Sequence, residues 1–168
     1  EGCVFVFVLV GLHVAGAPKV AKATEGCGRL VEKEDPAGIM VALGGKGRRS
    51  IALLDPLCPA CRGFDQRLDA SGLRSQLDLH AVLFPLDQTC NWMVKTSLHP
   101  GACAVSEAVL CQPERAEEVL DWAFAEQESL LQLAAKDERA LRKRLSERFP
   151  GVQGCLGSAK VKNKLNKS

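Results

Sequence analysis

The chain has almost no net charge, no tyrosine, no internal repeat and no low-complexity tract. Its 22 basic and 20 acidic side chains nearly cancel, which argues against a dedicated nucleic-acid-binding protein and predicts no nucleic-acid partner. With 168 residues, 46% of them hydrophobic, the chain is long enough to bury one domain core and too short for two of ordinary size. We therefore expect a single domain.

The sequence also lacks the ligands of an ordinary zinc site. Such a site needs four ligands, commonly two Cys-x-x-Cys pairs or one such pair with a close pair of histidines. Only one Cys-x-x-Cys pair is present, and His13, His80 and His99 are far apart in the sequence. His80 alternates within a predicted strand and His99 precedes Pro100 in a predicted loop, so we interpret both as structural or surface residues. The chain is expected to hold no metal.

Cysteine, in contrast, is abundant. Eight cysteines exceed the usual content of a cytosolic protein of this size and favour an oxidising location, periplasmic or otherwise extracytoplasmic. They are Cys3, Cys27, Cys58, Cys61, Cys90, Cys103, Cys111 and Cys155.

Residues 1–17 form an apolar segment that we interpret as the end of a transmembrane helix or as a signal peptide. The small residues Ala15 and Ala17 fit a signal-peptide cleavage site, but the basic region that ordinarily precedes the apolar part is missing. A full membrane span needs roughly 20 apolar residues, so the helix end is the favoured interpretation. A buried strand at residues 4–10 is the third alternative.

Residues 18–28 have the small and charged composition of a linker, and residues 29–168 are predicted to form the domain. Its first half contains four predicted strands and one helix. Two strands form a hairpin, the third is apolar throughout and is expected to be buried on both faces, and the fourth follows the helix. The predicted strands are residues 29–35, 39–45, 50–55 and 77–86, and the predicted helix covers 62–73 and ends near Gly72.

The second half, residues 101–168, is predicted to be helical throughout. Stripes of leucine and phenylalanine at helical spacing indicate faces that pack on a core. Pro113 is placed at the first position of its helix, where its missing N–H group costs nothing. The predicted helices cover residues 101–111, 113–127, 136–149 and 158–167.

The stretch "LLDPLCPACRGF" places Cys58 and Cys61 at the junction between a predicted strand and a predicted helix. A thiol attacks a disulfide only as its thiolate, and the N–H groups and positive dipole end of a helix start stabilise that anion. Cys58 is therefore the expected nucleophile and Cys61 the thiol that resolves the mixed disulfide. Pro59 and Ala60 between them form the first helical turn, with Pro59 fixing the backbone.

This segment resembles the active site of the thioredoxin superfamily, and the helices after "LHAVLFPL" resemble its Dsb-type members. "FPLDQTCNWMV" and "SLHPGACAVSEAVLC" are similar to the thioredoxin-like domain fused to bacterial vitamin K epoxide reductase homologues. The resemblance covers residues 25–168 and implies a thioredoxin-like α/β sheet with a helical insertion at about 101–168. It also implies exchange with cysteine-containing substrate proteins and electron transfer to a membrane-embedded oxidoreductase domain. The cofactor, a quinone, would belong to that partner domain, and this chain would hold none.

The sequence departs from the family in one respect. The superfamily places a cis-proline before a later strand that faces the cysteine pair. The prolines after Cys61 are Pro85, Pro100, Pro113 and Pro150, and none leads into a convincing strand. We therefore expect a C-terminally incomplete sheet.

The remaining cysteines are interpreted as structural disulfides. Cys103 and Cys111 are eight residues apart on one predicted helix, about 12 Å along its axis, which is too far for a disulfide. Cys90 is the natural partner for one of them and Cys155 for the other. A redox relay through Cys90 or Cys103 is an alternative, as is a non-catalytic disulfide-stapled or zinc-binding extracytoplasmic module. Trp92 is interpreted as a packing residue, with a place at the edge of the active site as the alternative.

Overall fold

The structure, a computed structural model, describes residues 35–167 of the chain. Its sheet has three strands, β1 at Val41–Ala42, β2 at Arg48–Leu54 and β3 at Leu77–Leu83. Their order is β1-β3-β2, with β2 parallel to β3 and β1 antiparallel to it. Together with six helices in the described residues, this makes a mixed α/β domain, which confirms the coarse fold class predicted from the sequence.

A parallel strand–helix–strand unit forms the centre of the described domain, as the sequence predicted. Helix α1, Pro59–Ala70, connects β2 to β3, and Leu54 lies opposite Leu83 at the end of the parallel pairing. The helix begins with Pro59 in its first turn. It ends before Gly72, whose φ of +67° is a left-handed conformation that glycine adopts without strain.

Five further helices follow β3, in agreement with the predicted helical second half. The predicted helix at residues 113–127 is wrong in detail, because Pro113–Arg115 form a 3₁₀ turn and the next helix ends at Ala125. Glu126 separates it from another helix that the sequence patterns did not resolve. The helices are α2 at Ala102–Cys111, α3 at Ala116–Ala125, α4 at Gln127–Lys136, α5 at Glu138–Arg148 and α6 at Ala159–Leu165.

Helix α2 lies at the centre of the helical half. Every residue from Ala102 to Leu110 is buried, and its many small side chains allow close approach of α3, α5 and α6. The one charged residue among them, Glu107, accepts hydrogen bonds from Arg142 on α5 and from the backbone N–H of Gly157, each at 2.8 Å. These partners offset the cost of burying a carboxylate.

The expectation that β2 is buried on both faces is wrong. Leu54 is 4% exposed, whereas Leu53, on the opposite face of the strand, is 73% exposed. Strand β2 lies at the edge of the three-stranded sheet, and β3 is its only neighbour in the described residues. A continuous apolar run therefore indicated a strand here but not its position in the sheet.

The predicted hairpin is only partly described. Its first strand, residues 29–35, lies almost wholly outside the described residues, and its second shortens to the two residues of β1. Gly44 and Gly45 follow with φ of +84° and +85°, a conformation that extended strands do not adopt. Strand β3 ends at Leu83, two residues before Pro85, rather than at Leu86.

The apolar segment 1–17 and the linker 18–28 lie outside the described residues, so their predicted roles stay predictions. None of the helices between residues 35 and 167 combines the length and apolar character needed to cross a membrane. After β3 no further strand is present within these residues, and all their peptide bonds are trans.

Gly101 at the start of α2 provides a test of the packing within the helical half of the domain. Its φ is +90°, and an added Cβ atom would lie 2.6 Å from both Ala134 Cβ and Leu141 Cδ2. Gly101→Ala is therefore expected to lower the free energy of unfolding by roughly 2–4 kcal/mol through backbone strain and overpacking. Urea titration followed by circular dichroism measures this loss.

Gly63→Ala is the matched control. Gly63 lies inside α1 with no atom within 4 Å of an added Cβ, so alanine is expected to stabilise the protein by up to about 1 kcal/mol. Equal effects of the two substitutions would contradict the packing described for Gly101.

Candidate functional site

Cys58 and Cys61 lie together at the junction between β2 and α1. Cys58 is the N-cap residue of the helix, with extended backbone angles of φ −85° and ψ 123°, and its carbonyl accepts the N–H of Arg62 at 3.0 Å. Among the described cysteines these two carry free thiols, and both are half-buried. The structure thus gives Cys58 the helix-start position that the sequence predicted.

The two thiols occupy different environments. Burial raises the pKa of the Cys61 thiol to about 11, and a backbone hydrogen bond at Asp55 offsets part of that effect. The negative charge and hydrogen bond of Cys58 raise the pKa further, as does the charge of Asp55. Cys61 is therefore held as a protonated thiol beside Cys58 at neutral pH.

Asp55, three residues before Cys58, carries a buried carboxylate whose charge acts on Cys61. Its side chain is only 4% exposed, and one oxygen accepts the backbone N–H of Leu57 at 2.7 Å. The other oxygen accepts the N–H of Leu86 at 2.6 Å and lies 2.8 Å from Nδ1 of His99. Both carboxylate oxygens thus have partners, as a buried charge requires.

The Asp55–His99 pair was not predicted from the sequence. His99 was interpreted as a structural or surface residue, and its side chain is 14% exposed in contact with Asp55. The two residues are 44 positions apart, so no local spacing connects them. The only sequence feature that pointed to this pair was Asp55 itself, an acidic residue at the end of an apolar strand and three residues before Cys58.

The four other described cysteines lie in two pairs at disulfide distance. Cys90 and Cys103 have sulfurs 2.09 Å apart, and Cys111 and Cys155 have sulfurs 2.03 Å apart. Cys103 and Cys111, which both lie on α2, therefore each pair with a cysteine outside that helix. Cys90–Cys103 joins the loop after β3 to α2, and Cys111–Cys155 joins the end of α2 to the segment before α6.

The loop at residues 84–101 is fixed by buried polar side chains as well as by Cys90. Asp87 is 2% exposed and accepts hydrogen bonds from the Thr89 and Ser97 side chains and from the backbone N–H of Gly101. Asn91 donates to the carbonyl of Pro85 at 2.9 Å. These bonds connect distant positions of the loop, which gives it a defined conformation.

The packing role expected for Trp92 is wrong. Its side chain is 86% exposed, and Met93 and Leu98 on the same loop are 53% and 68% exposed. The backbone of this loop is positioned by Asp87 and Asn91, so burial of Trp92 is not needed to hold it. Trp122, by contrast, packs edge-on against the buried Phe149, with ring centroids 5.4 Å apart.

The raised pKa of Cys61 leads to a measurable prediction. At pH 8 about one Cys61 in a thousand is a thiolate, because each unit below the pKa lowers that fraction tenfold. In a Cys58→Ala variant the pKa is expected to fall below about 11, since the charge and hydrogen bond of Cys58 are removed, while burial keeps it above the ordinary value. Iodoacetamide alkylation followed by mass spectrometry over pH 7–12 measures it. Identical pH profiles in native and guanidine-unfolded samples would contradict the burial effect.

No protein-family model, curated protein or solved structure matches the chain.

Proposed function

We propose that the protein is a thiol–disulfide oxidoreductase that exchanges disulfides with protein thiols through Cys58 and Cys61. The observation that carries the proposal is the asymmetry of the pair. Cys58 caps the start of α1, at the positive end of the helix dipole, while burial raises the pKa of Cys61 to about 11. Cys58 is suited to attack a substrate disulfide, and Cys61 stays protonated until a mixed disulfide has formed.

In the reducing direction, the Cys58 thiolate attacks one sulfur of a substrate disulfide, and the other substrate sulfur leaves as a thiolate. Cys61 then loses its proton to solvent and attacks the Cys58 sulfur, which releases the second substrate thiolate. The substrate gains two electrons and the cysteine pair loses two, so the oxidised protein contains a Cys58–Cys61 disulfide. In the oxidising direction, a substrate thiolate attacks Cys58 of that disulfide and Cys61 leaves as a thiolate. A second substrate thiolate then attacks the substrate sulfur of the mixed disulfide and releases the Cys58 thiolate, so the substrate gains a disulfide and the cysteine pair gains two electrons.

We also propose that the fold is thioredoxin-like with a helical insertion. The parallel β2–α1–β3 unit, with the Cys-x-x-Cys pair at its strand-to-helix junction, supports this assignment. The five helices that follow β3 support the insertion.

The proposed setting is extracytoplasmic, with a membrane-embedded, quinone-reducing domain as the electron partner. The two pairs at disulfide distance are compatible with an oxidising compartment. The proposal of the membrane partner is supported by the sequence resemblance and by the apolar character of residues 1–17. In this arrangement Cys58 exchanges with substrate proteins on one side and with the partner's cysteines on the other.

Serine substitutions separate the roles of the two cysteines. Cys58→Ser is expected to lower the rate of exchange with a disulfide-containing peptide to the uncatalysed background, because the attacking thiolate is gone. Cys61→Ser is expected to accumulate a Cys58–peptide mixed disulfide, because nothing resolves it. Intact-protein mass spectrometry after an acid quench detects the adduct. Exchange at the wild-type rate in Cys58→Ser would contradict the proposal.

Redox titration distinguishes the active pair from the structural pairs. Mass mapping of alkylated cysteines in glutathione buffers is expected to show reduction at Cys58–Cys61 before either of the other two pairs. A Cys58–Cys61 bond that resists reduction like the other pairs would instead support a disulfide-stapled structural module. Stoichiometric zinc that protects Cys58 from alkylation in the purified protein would support a zinc-binding module.

A further inference from the structure

The buried carboxylate of Asp55 accepts three hydrogen bonds within the described residues. Burying an ionised group without partners is costly, so each of its donors stabilises the site. Two donors are backbone N–H groups, from Leu57 and Leu86, and the third is the ring of His99. Only the imidazole is a side-chain donor, and it comes from the loop after β3, 44 residues beyond Asp55 in the sequence.

We propose that His99 is a positioning residue for thiol–disulfide exchange, acting through the carboxylate of Asp55. The inference rests on the proposed function and adds a third and a fourth residue to its site. His99 holds Asp55, and Asp55 in turn holds the turn from which Cys58 projects.

The backbone on both sides of His99 fixes the position of its ring. The N–H groups of Leu98 and His99 both donate to the carbonyl of Leu86, at 2.9 and 3.2 Å, and the carbonyl of His99 accepts the N–H of Ala102 at 3.1 Å. The Cys90–Cys103 disulfide connects the same loop to α2. The imidazole is thus held in place before any substrate arrives, as preorganisation requires.

Asp55 connects the position of the His99 ring to the two cysteines in two ways. Its side chain accepts the N–H of Leu57 at 2.7 Å and its carbonyl accepts the N–H of Cys58 at 3.2 Å, so the turn before the helix is tied to it. Its negative charge also acts on Cys61. A shift of Asp55 therefore changes both the direction of the Cys58 sulfur and the electrostatic environment of Cys61.

His99→Phe tests the inference, because phenylalanine retains a ring but has no N–H group to donate. The reaction of the reduced protein with oxidised glutathione is expected to slow about tenfold, the size of effect that a small misplacement of a reacting group produces. His99→Asn is expected to restore most of the rate, because its amide N–H can take the place of Nδ1–H. Rescue by asparagine distinguishes positioning from simple packing.

His80 provides a matched control in the same chain. Its Nε2 lies 3.0 Å from an oxygen of Asp78 on the same strand, and its side chain is 23% exposed. His80→Phe removes a histidine–aspartate pair that does not involve Asp55 and is expected to leave the glutathione reaction at the wild-type rate. Equal slowing in His80→Phe and His99→Phe would overturn the inference.

A double substitution tests whether His99 acts through Asp55. Asp55→Asn replaces an acceptor oxygen with a donor and is expected to slow the reaction by itself. If the two residues act as one unit, His99→Phe in the Asp55→Asn background is expected to add little further slowing, because coupled residues are not additive. Fully multiplicative effects would show that His99 does not work through Asp55.

Amide hydrogen exchange at Leu57 and Leu86 keeps this inference separate from the proposed function. Both amides donate to Asp55 and are expected to lose protection in His99→Phe but not in His80→Phe. A wild-type protein that does not react with oxidised glutathione would refute the function, and lost protection would still support the anchoring of Asp55. Unchanged protection would refute the anchoring whatever the activity. If His99→Phe does not fold, His99→Leu takes its place in each measurement.

Discussion

The carboxylate of Asp55 is the point at which three segments of the described domain meet. It terminates β2, accepts the backbone of the cysteine-bearing turn, and binds both ends of the loop that follows β3. A buried charge is stable only when its partners are all in place, so the three segments must be ordered together. The position of Cys58 therefore depends on the loop at residues 84–101 as well as on helix α1.

Through the Cys90–Cys103 disulfide, the position of the cysteine-bearing turn also depends on the helical half. Cys90–Cys103 holds the loop that carries His99 against α2, and Glu107 on α2 is bound to α5 through Arg142. The small side chains of α2 allow its neighbours to pack closely around it. The helical half therefore supports the loop that binds Asp55, next to the cysteine pair at the end of β2.

Local patterns were sufficient to predict the strand–helix–strand unit, the helix start at Cys58 and the helical second half. The position of β2 at the sheet edge was not predictable, because an apolar run is the same in an edge strand and a central one. The break at Glu126 carries neither glycine nor proline and gave no signal. Helix geometry excluded a Cys103–Cys111 bond but left the partners open, and the pairing of Asp55 with His99 depends on a contact across 44 residues.

The Cys111–Cys155 bond closes a covalent ring that contains α3, α4 and α5. A single cut of the backbone anywhere inside this ring leaves the two pieces joined, so a nicked protein keeps α2 connected to α6. Cleavage between Ala70 and Leu77, by contrast, removes the covalent connection between the pair Cys58 and Cys61 and the chain that follows, because neither described pair at disulfide distance spans that segment. The covalent connections therefore protect the supporting helices, while after such a cut non-covalent contacts within the described residues hold Cys58 and Cys61 beside β3 and the helical half.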